Sequence, residues 1–423
     1  MRILLNAFGF SPYRGSECAV GWNIAKELAR CHDVTVITGD VSYREDEYLL
    51  YVQENGPIPG LTVEYVNPSP LIAWINKLHD LPGLWALYYA AYKGWQKLAY
   101  RKAMELHRKK KFDIIHHLNM IGYREPGYLW KIKDAAFVWG PVGGGPNEPI
   151  SYHSLFSCSG CVKVFLRTMF NEIQKRVSWR SRAAAKTARK IWAVTDADYR
   201  MIHDLWGIEC ERMVETGSVL RPEGFVKTFH QGERLRIVWS GIHTSRKALP
   251  ILLHALKKSS NELGYVTDIF HVDVLGEGPE TKRWRDLSER LGISDCLTWH
   301  GRLPHEKALD VMNNGHVFAF PSLKEGTPHV VLEALSLGLP VICHDACGMG
   351  TVVDDQCGIK VMLGDPVMSI DGFGRALQCF VRNPSLVAEK SQGALHRAAE
   401  LTWEAKARAI SDAYLKLQCA SDY

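Results

Sequence analysis

The sequence predicts an α/β protein built from two doubly wound, Rossmann-like domains, and three observations carry that expectation. The first 40 residues read strand, glycine loop, helix, strand; a second alternation of strands and helices begins at Arg236; Pro222, Gly224 and Gly232 cluster between them, in the stretch from Ser218 to Glu233. A strand feeding a glycine loop and then a helix is the doubly wound pattern, with ligands expected beyond the carboxyl ends of the strands. At 423 residues the chain has the length for two or three domains, each with a substantial core. Its 46% apolar and 23% charged residues are ordinary for a soluble globular protein.

At the amino terminus RILLNAF, Arg2 to Phe8, is an apolar strand bounded by Gly9, Pro12 and Gly15. The loop from Ser11 to Glu17 lacks the G-x-G-x-x-G spacing, which argues against a nicotinamide dehydrogenase. Val20, Ile24, Leu28 and Cys31 recur at helical spacing, and Val34 to Ile37 is the second strand. There is no apolar run of 18 residues and no signal-peptide layout, so a cytoplasmic protein is expected. Eleven cysteines at irregular spacing fit reduced thiols better than a disulfide framework. Cys158 and Cys161 form a lone C-x-x-C without a second pair, a poor basis for a metal or redox site.

The net charge of +5 conceals an asymmetry. Between Lys93 and Lys111 eight Lys/Arg stand against one Glu, and between Ser151 and Lys190 nine against one. Trp74, Trp85, Tyr88, Tyr89, Tyr92, Trp95 and Tyr100 interleave with Lys77, Lys93 and Lys97. Such a stretch either lies on an anionic membrane surface or combines a solvated helical face with a packed aromatic core. Nucleic acid is not an expected partner, because no binding motif accompanies the charge.

FDIIHH, Phe112 to His117, is a strand ending in two histidines, and Ala136 to Trp139 is another, opening into the loop Gly140 to Gly145. Three consecutive glycines after a strand allow close backbone approach to a ligand, or make a flexible turn. The helical segment Ala183 to Lys190 leads into a strand, Ile191 to Val194, and then into Thr195-Asp196-Ala197-Asp198. Two aspartates at a helix start are ordinary caps, so this D-x-D is not taken as a metal site.

In the second half Ile237 to Gly241 is a strand whose loop carries His243, Arg246 and Lys247 before a helix marked by Leu249, Leu252, Leu253 and Leu256. Cations at such an entrance suit a diphosphate, Lys as a point charge and Arg as a fork. Further strands end at Gly276, with Glu277-Gly278-Pro279, and at Gly301, after Thr298-Trp299-His300. His316 to Phe320 is a short buried strand feeding the stretch Pro321 to Gly338, PSLKEGTPHVVLEALSLG. Here Thr327 is the expected N-cap and Pro328 suits the first helical turn. The free amides and positive dipole end of that helix make an anion site. Glu325 sits in the loop beside it, and Glu333 lies about 7.5 Å further along the axis.

The stretch around Glu325 and Glu333 resembles the E-x7-E signature of retaining, nucleotide-sugar-dependent glycosyltransferases, a large family with the GT-B fold: two Rossmann-like domains facing across a cleft. Gly338 to Ile342 and the glycine-containing loop Cys347 to Gly350 extend the match, which is specific from Ile237 to Gly358 and looser before Gly217. The resemblance implies an acceptor-side domain over residues 1–217 and a nucleotide-sugar domain over 218–395. It also implies a final helical segment, 396–423, that crosses back to the first domain. The Ser11 to Glu17 loop, with Gly15 and Ser16, is similar to the loop that admits donor phosphates and acceptor, and Gly144 belongs to the second glycine loop. A His near the transferred sugar maps to His116 or His117, although the family's H-x-H has Leu118 in its second position here. The family's Gly-Arg followed by Lys appears as Gly241, Ile242 and Lys247: either Arg246 supplies the missing charge or the phosphate site is weaker.

What the resemblance implies is transfer of a hexose, with retention, from a nucleoside diphosphate sugar to a glycan or lipid-linked acceptor, with no metal and no cofactor. Lys247 and Arg246 would neutralise the diphosphate together with backbone around Gly326, Thr327, Pro328, His329 and Val330. Glu325 would bond sugar hydroxyls near the reacting carbon, and Glu333 the ribose. A sugar-nucleotide epimerase of the same fold, a retaining phosphorylase and a non-catalytic sugar-nucleotide sensor are the rival classes. The basic and aromatic segments of the first domain lead to a further expectation, docking on the cytoplasmic membrane surface.

Overall fold

The computed structural model describes residues 1–39, 46–79, 81, 84, 87–155 and 158–419, with the side chains of 46, 154, 155, 158–161 and 163 also left undescribed. Trp85 and the side chains of Cys158 and Cys161 therefore lie outside the described residues. Two compact units are present: Met1–Gly145 with Ile173–Thr216 and Trp403–Tyr423, and Pro146–Glu172 with Gly217–Thr402.

The first unit holds the strands β1 (Arg2–Asn6), β2 (Asp33–Thr38), β3 (Leu61–Tyr65), β4 (Ile114–His117), β5 (Ala136–Val142), β6 (Lys190–Ala193) and β7 (Glu211–Arg212). They pair in the order β3-β2-β1-β4-β5-β6-β7, all parallel. The second unit holds β8 (Leu235–Ser240), β9 (Phe270–Leu275), β10 (Leu297–Gly301), β11 (Val317–Phe320), β12 (Val341–His344) and β13 (Gly358–Val361). These pair in the order β10-β9-β8-β11-β12-β13, again all parallel. Each sheet reverses direction of growth beside its first strand, between β1 and β4 and between β8 and β11. At such a switch point the loops leaving the two strands diverge and open a crevice.

The central strands are apolar throughout, ILL in β1, VFAF in β11 and VIC in β12, because helices cover both faces of a parallel sheet. In the second unit the core closes over Trp239, Trp284, Phe270 and Phe373, all fully buried, with Trp239 and Trp284 edge to face at 5.6 Å. Thr195 and Asp198 form a reciprocal capping box, so the D-x-D segment does start a helix.

Element ends depart from expectation where side-chain pattern and hydrogen bonding disagree. The first strand stops at Asn6 rather than Phe8, and the helix predicted over Ala183 to Lys190 runs Trp179–Thr187. Thr327 is not the N-cap of the signature helix: the helix spans His329–Ser336 and Pro328 holds the capping position. Proline brings no N–H and no side-chain oxygen, so Pro328 shapes that terminus without bonding a ligand there.

The unit boundaries differ from a division at 217/218 and 395/396 in two places. Residues 146–172 belong with the second unit because Ser151 Oγ donates to the Gly364 carbonyl at 2.8 Å and Tyr152, fully buried, shares a 2.6 Å hydroxyl hydrogen bond with Ser369. At the other end the helix Ser385–Glu400 continues past 395, and the break falls at Thr402. The helix Trp403–Cys419 packs Trp403, Ala407, Ile410 and Tyr414 into a core cluster of the first unit, beside Leu5, Val20 and Ile24.

Of the aromatic stretch of the first unit, Tyr92 and Trp95 supply core, while Tyr88 and Tyr100 are half-buried. Tyr92 and Trp95 are buried against Phe8, ring centroids 4.8 and 4.7 Å away, and Trp95 Nε1 donates to the Val66 carbonyl at 2.7 Å. Lys109, Lys110 and Lys111 are each ion-paired, to Glu105, Asp33 and Asp134. Trp74 and Tyr89 remain exposed.

Candidate functional site in the second unit and a glycine-lined crevice in the first

Strands β8 and β11 are neighbours and point the same way, so the loops that leave them meet at the switch point of the second sheet. Leu323 N donates to the Arg246 carbonyl at 2.9 Å, stitching one loop to the other. Across that seam Lys247 Nζ lies 2.7 Å from Glu325 Oε1, both side chains 11% exposed. Glu325 Oε1 also accepts from Ser322 Oγ at 2.6 Å. Burial pulls the Lys247 ammonium below its ordinary pKa, and the Glu325 carboxylate pulls it back up. Lys247 also stands 4.7 Å from the Phe320 ring centroid. No acidic partner for the Arg246 guanidinium is found among the described residues.

Local backbone holds this seam tight. Ala248, at the entrance to the helix Leu249–Leu263, has φ 47°, which turns Lys247 back towards the loop of β11. A Cβ on Gly276 would stand 2.0 Å from the Gly241 carbonyl oxygen, and Gly276 has φ +104°, so only glycine lets the loops of β8 and β9 approach. Gly348 N donates to the Gly326 carbonyl at 2.9 Å, and a Cβ on Gly348 would come within 2.2 Å of that oxygen. The segment Cys347 to Gly350, expected as a loop, begins the short helix Cys347–Val352, and it props up the segment Gly326-Thr327.

Glu333, one turn into the helix His329–Ser336, accepts from His305 Nε2 at 2.8 Å. That contact holds the His305 imidazolium above its ordinary range. Glu333 lines a cleft of about 760 Å³ together with Ser240, Arg302, Pro304, His329 and Val330. This volume is in the range of small-molecule sites. Because Glu325 stands four residues ahead of the helix, the simple axial rise does not measure its distance from Glu333. Of the expected donor-side residues, Gly241, Arg246, Lys247, Glu325 and Gly326 to Val330 all lie on the loops at this switch point, with Glu333 on the helix that follows. Ser322, His305 and Arg302 are additions that spacing did not reveal. The signal for them was faint: each lies within a turn of a strand end already noted, at Phe320 or Gly301.

In the first unit the same topology brings the loops of β1 and β4 together. Glu17 accepts from Met120 N at 3.2 Å and Ile121 N at 3.3 Å, and Asn119 Nδ2 donates to the Glu17 carbonyl at 2.8 Å. Desolvation holds the Glu17 carboxyl up at about 7, against the pull of the Ile121 amide and with the help of the Glu215 carboxylate. Ser16, φ 56°, precedes the helix Glu17–Leu28 and makes no side-chain cap, and Gly15 beside it has open space where a Cβ would be. Gly144, φ +93°, lies against Arg124 and Tyr123, while Asp198 Oδ1 accepts from Gly145 N at 2.7 Å and fixes the glycine loop. Glu17 and Asp198 are the functional candidates that sequence reasoning passed over, the second because its capping role explained it fully.

The two histidines separate. His116 is fully buried: Nε2 donates to the Gly140 carbonyl at 2.6 Å, which leaves Nδ1 to accept from the Tyr414 hydroxyl. Burial pushes it down to about 4. Both its nitrogens are used inside the core, so His116 is a structural histidine and not a site residue. His117 Nδ1 accepts from Asn6 Nδ2 at 3.1 Å, and its Nε2 has no hydrogen-bond partner among the described residues. Burial lowers His117 to about 3, so the ring is neutral, with Nδ1 accepting and the proton on Nε2.

Residues 221–397 match the family model described as glycosyl transferases group 1. A D-inositol 3-phosphate glycosyltransferase of Streptomyces bingchenggensis (strain BCW-1) is 30% identical over 175 residues, 40% of this chain and 37% of that protein. The match to this relative thus spans only about a third of its length. Among solved structures, the lipopolysaccharide outer core galactosyltransferase WaaB in its apo form superimposes with a TM-score of 0.65 at 12% identity, covering 98% of this chain and 99% of that one. Anabaena HepE in complex with UDP superimposes with a TM-score of 0.61 at 14% identity, covering 98% and 99%. At these identities the likeness establishes the fold, which is GT-B.

Proposed function

With residues 221–397 a glycosyl transferases group 1 domain in a chain of GT-B fold, we propose that this protein transfers a hexose, with retention, from a nucleoside diphosphate sugar to a glycan or lipid-linked acceptor hydroxyl. The observation that carries the proposal is the Lys247 and Glu325 pair at the β8/β11 switch point, beside the start of the Glu333 helix. The UDP bound in the HepE structure supports a nucleoside diphosphate donor.

In the reaction the bond between the anomeric carbon and the diphosphate oxygen breaks, its electron pair leaving with the diphosphate. The acceptor oxygen bonds to the same face, and its proton passes to the departing phosphate. Catalysis then rests on charge placed in advance where charge develops. Lys247 neutralises the leaving diphosphate, joined by Arg246 in place of the arginine that Ile242 replaces, and by backbone amides of Gly326, Thr327, His329 and Val330. Glu325, oriented by Ser322, accepts from hydroxyls of the transferred sugar. Glu333 accepts from the ribose hydroxyls in the cleft lined by Arg302 and Pro304. For the first unit the family resemblance implies a role for His117 near the transferred sugar, and for the Ser11 to Glu17 loop, with Gly15, Ser16 and Gly144, in admitting the acceptor.

The test is a panel of uridine, guanosine and adenosine diphosphate hexoses incubated with the parent and with Glu325→Gln. Diphosphate release that depends on Glu325, with the product's anomeric configuration unchanged by NMR, is the expected result. Interconversion of one sugar nucleotide into another without release identifies an epimerase and overturns the proposal. Binding of a donor with neither reaction identifies a sensor and overturns it equally.

A further inference from the structure

Helix Cys158–Val177 is built inside out. A helix on a globular surface ordinarily buries its apolar stripe. Here Val162, Phe165, Leu166, Met169, Phe170 and Ile173 recur at the spacing of one helical face and are 40% to 59% exposed, and Val177 continues the stripe. On the opposite face Asn171 and Lys175, one turn apart, are buried, and Val164 packs on the core of the second unit. Asn171 Nδ2 donates to Asn147 Oδ1 at 2.7 Å, so it is the polar side that is tied to the protein. Trp179, just past the end of this helix, is 71% exposed.

We propose that the exposed face of this helix docks on an anionic lipid surface, lying in the plane of the headgroups with Phe165, Leu166, Phe170 and their neighbours inserted. Charge decides the occupant. Exposed Arg167 and Arg176 flank the stripe, and the segment from Ser151 to Lys190 carries nine Lys/Arg against one Glu; Arg167, Arg180 and Lys190 pair with Glu148, Glu125 and Glu211 outside it, and an excess of positive charge remains. An anionic leaflet complements that charge, whereas a second copy of the chain would bring two such segments together. The side chains are of the kind that partition into the headgroup boundary, and arginines at the border can extend to the phosphates. None of the residues of this face is one of the donor-side residues named above, so the proposal holds whichever sugar or nucleoside is used.

The test is co-sedimentation of the full chain with vesicles of phosphatidylglycerol and phosphatidylcholine in equal parts, and of phosphatidylcholine alone, at low and high salt. The parent is expected in the pellet with the anionic vesicles, less so at high salt. Leu166→Gln with Phe170→Gln should reduce partition about tenfold or more at either salt, because it removes the inserted apolar groups. Arg167→Glu with Arg176→Glu should remove mainly the salt-sensitive part. Thermal unfolding and donor hydrolysis in vesicle-free buffer should match the parent in the Gln variant, whose side chains face solvent; the Arg variant, which also breaks the 3.4 Å Arg167–Glu148 pair, is compared at a temperature below its own unfolding midpoint. A parent that stays in the supernatant with anionic vesicles at low salt overturns the proposal, as does equal partition of parent and Gln variant. A parent that is a dimer by light scattering, and that the Gln variant converts to monomer without any vesicle binding, assigns the face to a second copy instead.

Discussion

Lys247 and Glu325, far apart in the chain, close to 2.7 Å because β8 and β11 lie side by side in the sheet. The pair is nearly buried, so each charge depends on the other for solvation, and a ligand that engages either must replace part of that interaction.

Lys247→Ala should lower kcat by roughly 10²-fold or more, the scale of removing one preorganised electrostatic group. It also leaves Glu325 without its counter-charge, so the unfolding midpoint should fall too. Measuring turnover per folded molecule separates the two effects. Turnover close to the parent's would remove Lys247 from the diphosphate site.

Glu333→Ala should raise the donor KM with a smaller loss in kcat, the signature of a contact made equally in ground and transition states. His305→Ala should shift KM in the same direction by less, because it frees Glu333 to rotate without deleting the acceptor. Steady-state kinetics at saturating acceptor reads both. An unchanged donor KM in Glu333→Ala would place the ribose elsewhere.

Arg246→Ala should cut turnover by about tenfold, and Ile242→Arg should restore part of it in that background. Ile242 is 66% exposed, so an arginine there meets no packing cost. If Ile242→Arg rescues nothing, the two positions do not serve one phosphate site.

His116→Ala should destabilise the fold by about 1–3 kcal/mol, since the buried Gly140 carbonyl and Tyr414 hydroxyl lose their partner. Turnover per folded molecule should stay near that of the parent. His117→Phe should show the opposite pattern in turnover. Denaturant melts run beside the kinetics distinguish the two.

Glu17 gives a pH signature in stability. Its carboxyl is ordinarily near 4.5 and is raised to about 7 in the folded chain. Between those values the unfolded state loses the proton that the folded state keeps, so this group's contribution to stability falls as pH rises from 4.5 to 7 and is constant above. Glu17→Gln should flatten the parent's decline in denaturation midpoint across that window. Parallel curves for parent and variant would show that Glu17 ionises normally.

Much of this protein follows from local pattern. Apolar runs flanked by glycine loops specify parallel strands covered on both sides, and helical spacing after each specifies the crossover. Lys247 and Glu325 were legible because each sits within about seven residues of a strand end, where chain direction alone decides which edge of the sheet a loop occupies, and Glu333 because it completes the E-x7-E resemblance. Glu17 and His305 were not, since their significance lies in which amides or carboxylates the neighbouring loops deliver. The sequence likewise could not separate His116 from His117, adjacent residues on one strand whose side chains point to opposite faces of the sheet. Tertiary packing decided it, by setting Tyr414 from the last helix over one and leaving Nε2 of the other without a partner among the described residues. Strand order did the same for charge and apolar surface. It consumed Tyr92 and Trp95 in the core and turned the apolar side of the helix Cys158–Val177 outward, because its polar residues found their partners within the fold.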